Sequence, residues 1–321
     1  MIVTKSPLVT HIYTADPSAH VFDGRIYIYP SHDLDLEAEE NDLGDQYAMT
    51  DYHVLSQSSP DAPVTDHGEA LHLRHVPWAS KQMWAPDAAF ANGRYYLYFP
   101  ARDLDGIFRI GVAVGTKPEG PFVAEKKPID GSFSIDPCVF PDADGSFYLY
   151  FGGLWGGQLQ CWQGKKFDAN GVEPASDAPA LCPRVARLST DMLSFVEGPA
   201  NLVILDENGV PLKAGDHDRR YFEGPWMHRY NGVYYFSYST GNTHTLVYAT
   251  GTSPFGPFTF RGRILNPVVG WTTHHSIVEH DGRWWLYYHD ATLSGGKSHK
   301  RCVKVQELFY RPDGSIVTLD P

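Results

Sequence analysis

Cysteine is scarce. Only Cys138, Cys161, Cys182 and Cys302 are spread over 321 residues, and no two form a C-x-x-C pair. That excludes a disulfide framework or a zinc ribbon and leaves small core hydrophobes or idle thiols. Cations are outnumbered, 26 Lys and Arg against 38 Asp and Glu, for a formal net charge of −12. Such a chain repels phosphate backbones, so no nucleic-acid partner is expected. No apolar run approaches the 18 or so residues of a membrane span, so no membrane partner is expected either. The opening stretch Met1-Ile-Val-Thr-Lys-Ser-Pro-Leu-Val-Thr10 has no continuous apolar segment of the signal-peptide kind, so the chain is expected to be cytoplasmic. Convincing helical periodicity is missing, and so are G-x-S-x-G, H-E-x-x-H, the phosphate-binding loop and the dinucleotide fingerprint.

Aromatic residues are plentiful, 14% of the chain with 19 Tyr, 17 Phe and 8 Trp. They favour strands and sugar-stacking surfaces over a helical bundle. They also recur in a cassette. A polar head leads into a half-apolar run, an Asp-Gly or Asn-Gly turn, and an aromatic strand. The five copies start at Asp16, Ala85, Asp136, Glu223 and His274, with turn glycines Gly24, Gly93, Gly145, Gly232 and Gly282. Asp-Gly or Asn-Gly between alternating runs is the strongest short hairpin signal, because both turn residues must tolerate positive φ. Downstream of two copies, Gly115-TKPEGPF and Gly251-TSPFGPF mark a third strand turning into a fourth. A hairpin plus two strands is one propeller blade, and five cassettes predict an all-β, five-bladed β-propeller of four-stranded antiparallel blades around a central channel. Neither irregular segment, Ser31–Asp51 or Asn170–Arg184, reads as a linker, so residues 1–321 are expected to form a single domain. Residues 1–12 are candidates for closing the ring with the last blade. The acidic run between Ser31 and Asp51 lacks the EF-hand pattern and is expected to be a solvated loop that could shape a pocket mouth.

In a propeller the leading ends of the innermost strands meet around one axis. Asp16, the Ala85-Pro86-Asp87 head, Asp136, Glu223 and the pair His274/His275 should therefore face one another across a funnel. Facing carboxylates suit glycoside hydrolysis, which needs one protonated acid for the leaving oxygen and one ionised base for water. A third carboxylate and nearby aromatic side chains would help keep the acid protonated.

With these residues in order, the sequence resembles glycoside hydrolase family 43 over essentially its whole length. Its early Asp-Pro, mid-chain Ile-Asp-Pro and Glu-Gly-Pro motifs match Asp16-Pro17, Ile135-Asp136-Pro137 and Glu223-Gly224-Pro225. The resemblance implies Asp16 as general base, Glu223 as general acid and Asp136 as the residue that tunes and orients the acid. It implies a calcium ion and its waters at His274, with His275 as the register-shifted alternative. It further implies Trp84 as an aromatic wall for the sugar, and Arg301 reaching a sugar hydroxyl or a carboxyl neighbour. Phe22, Trp155, Trp226 and Trp271 are further aromatic candidates, and Asp87, two residues off the head register, could touch substrate. The expected activity is inverting, exo-acting release of a pentose, β-D-xylose foremost, from short plant-wall oligosaccharides. An α-L-arabinofuranosidase acting on arabinoxylan or arabinan oligosaccharides and a non-catalytic sugar-binding propeller are the alternatives.

Overall fold

A computed structural model describes residues 5–241 and 245–321. Five antiparallel sheets follow one another along the chain as the blades of a β-propeller, with no α-helix among the described residues and only four short 3-10 turns. Blade I holds Tyr13–Phe22, Arg25–Asp33, Asp51–Gln57 and Thr65–His72. Blade II holds Asp87–Ala91, Arg94–Asp103, Phe108–Gly115 and Val123–Ala124, and blade III Cys138–Pro141, Phe147–Phe151, Arg184–Leu188 and Phe195–Asn201. Blade IV runs Tyr221–Tyr230, Val233–Thr240, Leu246–Gly251 and Phe258–Leu265; blade V has His275–His280, Arg283–Asp290 and Cys302–Leu308.

The hairpin reading is borne out in detail. At Asp23-Gly24, Asn92-Gly93, Asn231-Gly232 and Asp281-Gly282 both turn residues have positive φ, between 49° and 80°, which matches the right-handed twist of the flanking strands. Blade III differs: its longer turn closes with the Gly145 amide on the Asp142 carbonyl, and Gly145 takes the positive φ.

Four strands per blade does not hold throughout. Blade II gains a short edge strand, Ala79–Lys81, against Arg94–Asp103, and blade IV gains Ile204–Leu205 running parallel to Phe258–Leu265. Blade V has three strands. Where a fourth would lie, the Leu8 amide donates to the Val303 carbonyl at 2.8 Å, and Leu8 and Val9 pack into the apolar layer between blades I and V. The expected ring closure is thus made by isolated bonds rather than a ladder; Met1 to Thr4 of the expected segment lie outside the described residues.

The core lies between blades rather than inside one layer. Tyr29, Val54, Leu97 and Phe99 fill the space between blades I and II, while Ile26, Ile28, Trp285 and Tyr287 join blades I and V. Near the axis polar groups take over. Asp87 is fully buried and accepts from the Ser18 hydroxyl of blade I and the Val139 amide of blade III, with His20 Nε2 at 2.6 Å. Asp87 is therefore a staple across three blades and does not line the cavity that the other acidic heads share, which corrects the expectation that it touches substrate. Asp87→Ala is expected to leave buried groups of blades I and III without their partner and to lower unfolding free energy by about 3 kcal/mol, read as a shift of the denaturant midpoint.

Candidate active site

The cassette heads share a local device. In blade I the ladder pairs Ala15 with Ser31 and next Ser18 with Tyr29, so Asp16-Pro17 opposes a single residue. In blade IV, Glu223 pairs with Ser239 and next Trp226 with Ser237, so Gly224-Pro225 bulges likewise. Proline has no N–H to give to a ladder, and a bulge re-aims the neighbouring side chain. The residue before each proline sits in the left-handed region: Asp16 at φ 48°, Asp136 at φ 58° and Gly224 at φ 64°. Aspartate tolerates this conformation better than most residues. At Gly224 only glycine fits, because a Cβ would come within 2.9 Å of the His274 ring.

These bends bring the three predicted acids into one open cavity, together with His274, Arg301, Trp84, Trp155 and Trp271. Asp16 is gripped from several sides. Arg301 Nη1 lies 3.0 Å from Oδ1, the Ser31 hydroxyl donates to Oδ2 at 2.7 Å, and His274 Nδ1 stands 3.5 Å from Oδ1. The Asp16 amide donates to His289 Nδ1 at 2.9 Å. Arg301 is itself held by Asp33, through Nε to Oδ2 and Nη2 to Oδ1, both at 2.8 Å. Asp136 accepts from the Gly224 amide at 2.9 Å.

The electrostatic outcome differs among the three. Burial pushes the Asp16 carboxyl up, but the Arg301 charge, the His274 hydrogen bond and the remaining field of both histidines overcome it, so Asp16 lies far below the usual carboxylate range. For Glu223, burial and then the charge of Asp136 push the same way, and its carboxyl is held well above the ordinary range, only partly offset by His274. Asp136 is also raised, first by burial and with Asp16 adding to it, against the opposing pull of His274. Burial pulls the His274 proton off, but Asp16 and Asp136 outweigh it and its pKa is raised. A carboxyl pushed toward ionisation and one pushed toward protonation thus line one cavity.

The other predicted residues divide. Trp84 lines the cavity, its indole N–H donating to the Tyr47 carbonyl at 2.8 Å and its ring 4.6 Å from Phe108. Trp155 also lines it, edge-on to Phe222 and 5.6 Å from Trp271, with its N–H on Glu173 at 2.7 Å. Arg301 has the expected carboxyl neighbours, Asp16 and Asp33. Phe22 does not reach the cavity: it lies at the hairpin end of its strand, packed on His20, Tyr27 and Tyr95, because the alternation and length of the strand carry it to the opposite rim. Trp226 is buried between blades IV and V, donating to the Ile277 carbonyl. His275, one residue along the strand from His274, points the other way into that same inter-blade layer. Its Nε2 meets the Ser237 hydroxyl at 2.6 Å and burial drives its pKa far down, so it is a core histidine and not a cavity ligand.

Several cavity residues carry no legible motif. Asn41, Asp42, Gly44, Gln46 and Tyr47 come from the acidic segment, which does shape the pocket wall. It is not simply solvated. Asp33 is a buried strand residue, and Lys300 binds Asp35 at 2.6 Å and Glu37 at 3.0 Å, while the Ser298 hydroxyl donates to Glu40 at 2.6 Å. The unusual length of this loop was the available signal. Nothing in the sequence marked His289, which supports Asp16 from the far end of the second strand of blade V.

Comparison with known proteins agrees with this geometry. The family model for glycosyl hydrolases family 43 matches residues 6–316. Xylosidase/arabinosidase 43A of Humicola insolens is 63% identical over 98% of this chain and 99% of its own, and a xylosidase/arabinosidase of Bacteroides ovatus is 54% identical over 100% and 99%. Among solved structures, a family 43 β-xylosidase/α-arabinofuranosidase from a compost metagenome, in complex with xylotriose in a calcium-free form, superposes with a TM-score of 0.97 at 61% identity, covering 99% of this chain and 97% of that one. A family 43 enzyme of Xanthomonas citri complexed with xylotriose gives 0.94 at 58% identity, covering 98% and 93%. Five blades, three head-of-blade acids in one cavity and this likeness along the whole chain have a single reading: the chain belongs to glycosyl hydrolases family 43 and is a glycoside hydrolase.

Proposed function

We propose that the chain removes single pentoses, β-D-xylose foremost, from the ends of short oligosaccharides with inversion of configuration. The observation that carries this reading is the meeting in one cavity of Asp16, held by the Arg301 guanidinium, and Glu223, buried beside a second carboxyl, Asp136. Asp16 takes a proton from water, whose oxygen attacks the anomeric carbon. Glu223 gives its proton to the glycosidic oxygen as the C–O bond breaks on the opposite face. The proton count balances: one enters the base and one leaves the acid, and solvent exchange resets both. Asp136 keeps the Glu223 proton in place through its charge and orients the bulge through the Gly224 amide. Arg301 keeps Asp16 ionised and is a positioning residue. Trp84, Trp155 and Trp271 offer flat apolar faces for a sugar. Release of α-L-arabinofuranose is the second reading, favoured by the double naming of the Humicola and Bacteroides relatives.

A divalent cation fits His274 rather than His275. Asp16 and Asp136 act on the His274 ring and already raise its affinity for a proton, and the same field favours a metal ion. With one imidazole as protein ligand, calcium would take most of its oxygens from water. When bound it would supply positive charge on the channel axis. Chelator treatment is expected to lower kcat on nitrophenyl β-xyloside and added Ca2+ to restore it; in His274→Ala neither addition should change the rate.

Asp16→Asn and Glu223→Gln should each lower kcat/KM on xylobiose by roughly 10²–10⁴-fold with the fold retained by circular dichroism. On a nitrophenyl xyloside, whose leaving group needs little protonation, Glu223→Gln should lose much less than Asp16→Asn. The first sugar seen by proton NMR should be α-xylose; β-xylose would overturn the inverting mechanism.

The pH profile follows from the two environments. The base works ionised and its pKa is depressed, so the acid limb of kcat/KM should lie below the usual carboxylate range. The acid works protonated and its pKa is raised, so the alkaline limb should lie above it. Arg301→Gln should move the acid limb up, because Asp16 loses its main stabilising charge. Asp136→Asn should move the alkaline limb down, because Glu223 loses the negative charge that holds its proton.

A further inference from the structure

A second group of ligating side chains lies on blade I, outside the cavity just described. His32 stands on the second strand, Asp51 and His53 two residues apart on one face of the third, and Asp66 on the fourth. His32 Nδ1 lies 3.1 and 3.0 Å from the two Asp51 oxygens, and His53 Nε2 lies 3.5 Å from Asp51 Oδ2. One ligand atom from each of His32, Asp51 and His53 can be chosen with all three within 4.8 Å of one another. His32 opens onto a small surface cavity with Thr10, His11 and Tyr13, none of which lines the carboxylate cavity.

The hydrogen bonds behind the group set its chemistry. His53 Nδ1 lies 3.0 and 3.2 Å from the Asp66 oxygens, and Asp66 is fixed in turn by the Gly68 amide at 2.8 Å and His11 Nε2 at 2.8 Å. An ionised carboxylate only accepts, so Nδ1 of His53 carries a proton. Nε2 is then the nitrogen left to face Asp51 Oδ2, at 3.5 Å and with no hydrogen bond between them, a gap that a cation bound to both would fill. The carboxylate–imidazole order, Asp66 to His53 to an open Nε2, is the arrangement that orients metal-binding histidines generally. The two spacings that involve Asp51 also suit a metal: bonds of 2.0–2.2 Å to nitrogen and oxygen put neighbouring tetrahedral ligands about 3.4 Å apart, close to the 3.0 and 3.5 Å seen here.

We propose that His32, Asp51 and His53 form a site for a borderline transition-metal ion of the Zn2+ class, with Asp66 orienting His53 and water completing the shell. Two imidazoles and a carboxylate favour zinc over calcium, which prefers oxygen alone. The ion displaces the proton that His32 Nδ1 shares with Asp51. It ties the second and third strands of blade I together beside the entry of the acidic segment, so its contribution is structural.

The test uses the full chain after chelator treatment and dialysis, titrated with Zn2+ alone by calorimetry, with Cu2+ as a spectroscopic probe. His274→Ala serves as the background that removes the proposed axial site. Binding of one Zn2+ per chain in that background, lost by at least 100-fold in His32→Gln/His53→Gln, is the expected result. Asp66→Asn, which keeps every ligand, should weaken binding 10–100-fold. The Cu2+ electron paramagnetic resonance spectrum should carry hyperfine structure from two imidazole nitrogens, and Zn2+ should raise Tm in the background protein but not in the double variant. Should the double variant fail to fold, the Cu2+ spectrum of the background protein decides. Zn2+ affinity unchanged by the double variant, or a Cu2+ spectrum without two nitrogens, overturns the site.

Discussion

The buried ion cluster Asp33–Arg301–Asp16 is the constraint on which the site depends. Arg301 comes from the loop entering the last strand of blade V, and both acids from blade I, so the cluster bridges the two ends of the ring. Ions taken out of water are costly unless each is paired, and removing one partner typically costs about 3–5 kcal/mol. Here Arg301 meets two carboxylates, Ser31 and His289 satisfy further atoms of Asp16, and the left-over negative charge lies beside His274. The same contacts that allow a carboxylate to be buried also keep it ionised, so the stability of ring closure and the readiness of the base share one origin.

Glu223 lies on the other side of that balance. No arginine meets it, and Asp136 is the acid whose charge acts on it most. Buried and beside Asp136, its neutral form is favoured. Two chemically similar side chains are thus pushed toward opposite protonation states because the charge acting most on one is a guanidinium and on the other a carboxylate. Asp136 links them, since it feels Asp16 and acts on Glu223, and its hydrogen bond to the Gly224 amide fixes the bulge next to Glu223.

Backbone geometry makes this possible. In blades I and IV a proline at the acidic head interrupts the ladder, in blade III Pro137 precedes its first pair, and in all three the residue before the proline adopts a conformation that aspartate or glycine accepts. The side chain that would have alternated into the inter-blade layer is turned toward the channel. Blade II has Ala85 before Pro86, and its acid, Asp87, falls past the bend. Asp87 accordingly joins the polar staple between blades instead of the cavity. His274 and His275 show the same rule without a proline: one residue of strand alternation separates a cavity histidine from a core one.

Repeat, hairpin turns and the three acidic motifs were legible in the sequence, because each is a local demand. A two-residue turn requires particular residues, and a broken ladder requires proline. The family and the blade count followed from them; Trp84 and the carboxyl neighbour of Arg301 came with the resemblance to the family, and Trp155 was one aromatic candidate among several. Contacts between distant blades were not legible. His289, Ser31 and Asp33 carry no spacing signature, and their roles exist only where the ring closes. Phe22 and Asp87 were misplaced for the same reason: periodicity tells which face a residue takes along its own strand, while the radial depth of that strand and the packing of neighbouring blades decide what the face meets. The segment after Ser31 read as a charged loop from composition alone. Only the lysines of blade V, brought alongside by closure of the ring, make it part of the cavity wall.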